Sequence, residues 1–294
     1  MTTTDTVEAK ATFESREQEA RRRVLLAALP FCVFVVFAVV APFLVDFDPF
    51  AVVLREQFLP PLGRYSDGTL SLLGTDHLGR SVFAQIVEGA HVSLLVGAMT
   101  VIVASAAGVT VGVLAGYLGG WLDNMLMRLA DIQLALPSIL FAILIAAALG
   151  PSLMNIIVAL AVTRWVVFAR VARASTLAVR EREFVDSARV LGASNYRIIT
   201  RHILPAAMTP LTVVATMQFG LVIVAEASLS FLGLGTPPTT PSWGLTIANG
   251  RNSLEEAWWV VTMPGIALVA AASSAGWLGD RLRDYLDPHR IAGA

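Results

Sequence analysis

The chain has 294 residues, 56% of them hydrophobic and only 15% charged, with a net charge of −1 and a mean hydropathy of +0.70. Soluble domains are about half apolar and a quarter charged, so this balance excludes an ordinary soluble enzyme and predicts an all-α integral membrane protein with lipid around it and no nucleic-acid partner. The single cysteine, Cys32, rules out an intrachain disulfide and a multi-cysteine metal site, and reads as packing filler or a lipid-facing side chain.

Residues 1–23 form a polar tail of mixed charge, expected to be partly disordered over 1–20. The charge-free run Val24–Val45 is long enough to cross a hydrocarbon layer about 30 Å thick at about 1.5 Å per residue. It exceeds a signal-peptide core of about 7–15 residues, and no Ala-x-Ala site follows before Asp46, so it reads as an uncleaved first span. Segment 46–90 follows on the far side. Gly89–Leu122, broken only by His91, predicts a second span over about Val92–Tyr117, closed by Gly119-Gly120. Ala104, Gly108, Gly112, Gly116 and Gly120 recur every four residues, a small-residue row that lets a helix approach closely; the approaching helix belongs either to this chain or to a second subunit. Ile132–Thr163 would be roughly 48 Å long as one helix, too long for one crossing, and Gly150-Pro151-Ser152 divides it. Two helices are expected, the third span starting near Leu126, with Arg128 and Asp131 in its first turns, and the fourth ending near Arg170. An Arg-studded segment within 174–205 separates these from the runs Ile203–Ala225 and Ala257–Gly279, and 281–294 is a second tail. The expectation is six spans within a transmembrane domain at 24–280.

Basic residues flanking short loops stay on the cytoplasmic side. With the amino terminus inside, the inner segments hold seventeen Lys and Arg residues, against four outside: Arg55, Arg64, Arg80 and Arg251. Both termini are therefore expected in the cytoplasm, in a multi-pass protein of the cell membrane.

The inventory of reactive groups argues against catalysis by this chain. A phosphate-binding loop needs Lys directly after its glycines, and the one lysine, Lys10, has no such loop before it; any ATP-driven work must come from a separate chain, and no cofactor or metal is expected in this one. His77, His91, His202 and His289 show no metal-ligand spacing, no Gly-x-Ser-x-Gly elbow occurs, and Ser273-Ser274 reads as small packing residues. Two charges fall within the spans: Glu226, expected near the outer end of span five, and Arg164, expected near the inner end of span four where it can snorkel outward.

Within the polar segment, Arg180–Val190 and Ser194–His202 both suit helices, and Gly192 between them permits a sharp turn at positive φ. Leu204-Pro205 opens the fifth span. The segment predicts a compact knob about one nanometre across, small enough for a cleft on another protein.

Asp186-Ser187-Ala188, then Gly192, then Leu204-Pro205 resembles the Glu-Ala-Ala…Gly…Leu-Pro loop of permeases in binding-protein-dependent ABC importers. Gly74–Arg80, Gly119–Asp123 before Met127-Arg128, Ala225–Gly235, Pro241-Ser242-Trp243-Gly244 and Gly279–Pro288 are similar to the C-type permease subunit of Opp/Dpp oligopeptide and dipeptide importers, over about residues 20–290. The resemblance implies a type I ABC importer permease fold and a non-catalytic subunit that forms half of the pathway. Its implied partners are a homologous permease, two cytosolic ATP-binding subunits or one fused ATPase, and an extracytoplasmic peptide-binding protein. Arg182, Asp186, Ser187, Ala188, Gly192, Arg197, Leu204 and Pro205 would couple to the ATPase, with Asp76, Gly79, Arg80 and Trp243 as extracytoplasmic interface candidates.

The chain departs from the family pattern at Asp186-Ser187 for Glu-Ala, Ser81 and His91 for Asp and Arg, and Gly276 for Asn. Gly74–Arg80 also reads as a plain turn capped by Asp76, Pro241–Gly244 as a rigid loop, and the knob as a basic loop near anionic lipid. Nickel, a metal chelate or glutathione fits the same architecture as cargo. A stand-alone secondary carrier is the third reading, although several buried carboxylates and paired broken helices, which it would want, are not evident.

Overall fold

The computed structural model describes residues 3–44 and 48–286, with side chains from residue 18 onward. Val45, Asp46, His289, the Asp287-Pro288 end of the tail and the Lys10 side chain lie outside the described residues. The helices are α1 (Thr3–Leu44), α2 (Val82–Leu118), α3 (Gly120–Leu134), α4 (Ser138–Leu149), α5 (Leu153–Arg180), α6 (Glu183–Val190), α7 (Asn195–Ile198), α8 (Leu204–Phe231), α9 (Trp243–Gly250) and α10 (Trp259–Leu286). Among the described residues, five stretches are long and apolar enough to cross a membrane, in α1, α2, α5, α7–α8 and α10, and α3 with α4 makes a sixth if that bent pair is one crossing.

Several boundaries differ from the expectation for local reasons. α1 is helical from Thr3, so the tail expected to be partly disordered continues the first span; the Glu19–Arg23 pair at 2.6 Å supports one turn of it. α2 starts ten residues before the expected Val92. Glu88 hid this turn from a charge-free search, and the Ser81 hydroxyl caps it by accepting from the Ala84 N–H, a role Ser and Asp share. The third span is not straight: α3 and α4 meet at 89°, because Pro137 lacks an N–H and its ring pushes the preceding residue out of helical geometry. The division at Gly150-Pro151-Ser152 falls between α4 and α5, with Gly150 at φ +81.

Packing gives the bundle its centre. The row Ala104, Gly108, Gly112, Gly116 of α2 lies against α5 of the same chain. A Cβ on Gly108 would stand 2.3 Å from the Trp165 carbonyl oxygen, one on Gly112 2.2 Å from that of Ala169, and one on Gly116 3.0 Å from that of Arg173. Both helices advance four residues per contact, so they run parallel. Gly120 is not part of this row; it lies past the end of α2, at φ +61 with nothing near it. α8 runs antiparallel to α2, since Ser93 meets Glu226 and Gly97 meets Phe219. α8 also runs antiparallel to α10, with Gly220 against Ala272 and Gly279 against Met217.

Candidate functional site

The polar segment folds as a bent knob where α2 and α5 finish and α8 begins. α6 ends in a Schellman turn: the Gly192 N–H donates to the Arg189 carbonyl at 2.9 Å and the Ala193 N–H to the Ala188 carbonyl at 3.0 Å. The turn needs left-handed backbone at Gly192, φ +82, which only glycine adopts without strain. Ser194 then caps α7, its hydroxyl accepting from the Arg197 N–H. The Leu204 N–H reaches back five residues to the Ile199 carbonyl, so α7 passes into α8 through one widened turn. Pro205 accounts for it, because its ring would crowd the Arg201 carbonyl in a regular helix.

The knob is seated by apolar and polar contacts together. Val185, Ile198 and Ile203 are buried in one cluster with Tyr117, Phe168 and Ala172. The Tyr117 hydroxyl donates to Asn195 Oδ1 at 2.8 Å, the Arg189 guanidinium lies 5.9 Å from the Tyr117 ring centroid, and Arg180 donates to the carbonyls of Gly116 and Tyr117 at 3.0 and 3.2 Å. At the neighbouring turn Arg173 grips Asp123 through two bonds of 2.6 Å. These contacts tie the knob to α2, α5 and α8.

Arg182, Asp186, Ser187, Gly192, Arg197 and Pro205 are exposed, and Ala188 and Leu204 half-buried. Asp186 accepts from Arg189 at 3.0 Å, and the Ser187 hydroxyl donates to the Glu183 carbonyl at 2.9 Å. The tip itself lies outside the expected set: Val190 is 88% and Leu191 86% exposed. Covering two such side chains is worth roughly 1.5–3 kcal/mol each. An aliphatic pair directly before the turn glycine of a polar loop is the signal that marks them in sequence.

The far end of the bundle corrects the interface assignments there. Asp76 is 1% exposed and accepts from the N–H groups of Leu78 and Arg80, from Arg80 Nε at 2.8 Å and from Gln85 Nε2 at 3.0 Å. Gly79 is crowded by the Val53 carbonyl. The Trp243 indole is buried and donates to the Ile86 carbonyl at 3.0 Å. These residues hold the lobe 48–81 and α9 onto the bundle, and neither Asp76 nor Trp243 offers its side chain to a partner; Arg80 is largely buried by its pairing with Asp76.

Glu226 does not reach water. It is fully buried, accepts from the Ser230 hydroxyl at 2.7 Å and the Ser93 hydroxyl at 3.4 Å, and links α8 to α2. Arg164 lies near the middle of α5 rather than at its inner end, and its Nε has no hydrogen-bond partner among the described residues.

A model of the family described as binding-protein-dependent transport system inner membrane component matches residues 108–291. The chain belongs to that family. A peptide transport system permease protein of Brucella suis biovar 1 (strain 1330) is 42% identical over 93% of this chain and 90% of its own length. The di/tripeptide transport system permease protein DppC of Pseudomonas aeruginosa (strain UCBPP-PA14) is 38% identical over 92% and 89%. A chain of the MetNI methionine ABC transporter superposes with a TM-score of 0.56 over 68% of this chain and 96% of its own, at 20% identity. The protein is a multi-pass inner-membrane permease component with the fold of an ABC importer permease, and its described residues include five long apolar helices and one bent pair.

Proposed function

We propose that this chain is one of two permease subunits of an ATP-driven peptide importer, with the knob seated in a cleft of a cytosolic ATPase. The observation that carries the coupling role is the bare Val190-Leu191 tip on a base tied to three bundle helices. ATP and magnesium belong to the partner subunits, and an extracytoplasmic binding protein delivers the cargo. Closure of the ATPases would tilt α2, α5 and α8 as one group and alternate access to the pathway. The names of the relatives favour peptide as cargo over nickel or a metal chelate, and glutathione stays the alternative, since a relative 41% identical is named a glutathione transport system permease protein.

Six crossings with both ends on the knob side complete the reading. The parallel course of α2 and α5 favours a return of the chain across the membrane between them, with the α3–α4 pair as a broken span. The seventeen-to-four distribution of basic residues favours the knob side as the cytosol.

Gly192→Val tests the reading. Nothing lies within 4 Å of a Cβ at this position, so only the left-handed turn is strained, by about 1–2 kcal/mol or more for a β-branched residue. The variant chain should insert normally while the ATPase subunits are lost from the purified complex and peptide uptake collapses. Normal uptake after the ATPases are lost would point to a carrier that works alone, and normal uptake with the ATPases retained would refute the coupling role of the turn at Gly192.

A further inference from the structure

Small residues press α8 and α10 together, and the two helices part where the small residues stop. A Cβ on Gly279 of α10 would stand 2.8 Å from Met217 Cγ, and one on Gly220 of α8 2.8 Å from the Ala272 carbonyl oxygen. Four and seven residues past Gly279, on the same helix face, come Arg283 and Leu286, whose larger side chains keep α10 off α8. Pro210 and Val213 of α8 stand on the opposite wall and Val171 of α5 on a third. The result is a cleft of about 370 Å³ between the knob-side ends of α5, α8 and α10.

The cleft lies at the edge of the hydrocarbon. From Trp259 to Gly279 α10 carries no charge and runs about 30 Å, the thickness of a bilayer core, so Arg283 stands at the level of the lipid headgroups. Its side chain is exposed. Arg281 pairs with Asp284 at 3.5 Å, whereas Arg283 has no ion pair among the described residues. An apolar track leads away from it toward the middle of the membrane. Val214 and Met217 line the cleft, and Leu221 and Val224 follow at helical spacing, 51% and 45% exposed. From Val214 to Val224 the track is about 15 Å long, the depth of one leaflet.

A cation at headgroup level above an apolar track one leaflet deep matches one kind of molecule. We propose that the cleft binds an anionic phospholipid of the knob-side leaflet, with the phosphate on Arg283 and an acyl chain along Val214, Met217, Leu221 and Val224. That leaflet is the anionic one when the knob side is the cytosol. One turn of a helix 10–12 Å wide and 5.4 Å tall fills roughly 400–600 Å³, so a helix of a second permease does not fit the cleft. A peptide there would leave its backbone N–H and C=O groups unpaired, because Thr209 is the one polar residue in the wall besides Arg283. An acyl chain needs no such partner. The assignment does not depend on which cargo the importer carries.

The test uses the complete complex, with its ATPases, in phosphatidylcholine nanodiscs that contain a phosphatidylglycerol bearing a diazirine on one acyl chain. After irradiation and peptide mapping, the adduct should fall within Val214–Val224, with adducts on α1 as the reference for unspecific lipid contact. Arg283→Gln should lower the Val214–Val224 yield by about tenfold or more, the weight of one charged hydrogen bond, and leave the α1 yield unchanged. Val214→Phe, which narrows the cleft, should lower it too while the ATPases still co-purify. A phosphatidylcholine probe that labels Val214–Val224 as well as the anionic one, or a yield unchanged in Arg283→Gln, would reduce the cleft to ordinary lipid-facing surface and overturn the site. Labelling of the isolated chain but not of the complex would overturn it by showing that a second subunit covers the cleft. Labelling that appears only after residues 287–294 are removed would give the cleft to that tail instead. A diazirine-bearing tripeptide that labels Val214–Val224 during transport in place of the lipid would overturn the proposal in favour of a pathway wall.

Discussion

Replacing Gly108 with alanine places one methyl group between two backbones. The added Cβ would stand 2.3 Å from the Trp165 carbonyl oxygen and 2.6 Å from Phe168 Cβ, so α2 and α5 must part by about 1 Å to restore ordinary contact. Neither neighbour is the end of a flexible side chain, which puts overpacking near the top of its usual range, about 3 kcal/mol. Alanine returns about 1 kcal/mol through its better helix propensity, leaving a net loss of about 2 kcal/mol. Gly276→Ala is the matched control: it also lies inside a helix, but nothing stands within 4 Å of its Cβ, so the propensity gain goes unopposed and the sign reverses. Unfolding of the detergent-solubilised chain by SDS titration, followed by tryptophan fluorescence, measures both. A Gly108→Ala chain as stable as wild type would refute the claim that α2 and α5 are in backbone contact.

Asp76→Ala removes the acceptor that serves Arg80, Gln85 and two backbone N–H groups. Leaving Arg80 and Gln85 buried without it should destabilise the lobe 48–81 by about 3–5 kcal/mol, seen as rapid protease cleavage within the lobe while the bundle persists. The Ser66 hydroxyl and N–H donate to Glu56 and hold its carboxyl below the ordinary carboxylate range. A depressed folded pKa contributes stability that is complete above the unfolded value of about 4.3 and is lost as pH falls through the folded value. The lobe should therefore hold at pH 5, and Ser66→Ala should move its acid unfolding midpoint, followed by the same cleavage assay, to higher pH.

Much of this architecture follows from local pattern. Runs free of charge located five apolar helices, because a backbone in lipid must satisfy its own hydrogen bonds and a helix does so within one segment. Gly150-Pro151 and Gly192 announced chain reversals because a positive φ and a missing N–H are properties of single residues. The first turns of α2 do not read as a charge-free run, because Glu88 interrupts the pattern at a depth that still admits a charge. The 89° bend after Leu134 is likewise absent from the hydropathy pattern, although Pro137 carries the cause.

Composition and spacing determined that this is a membrane bundle with a polar, glycine-hinged knob. Only the tertiary structure decided what each face meets: that the small-residue row of α2 is covered by α5 of the same chain, that Asp76 and Trp243 are internal, and that Glu226 is sealed from water. The physical reason is that propensity, charge and turn chemistry act between residues a few positions apart, whereas burial is settled by helices distant in sequence that approach through space.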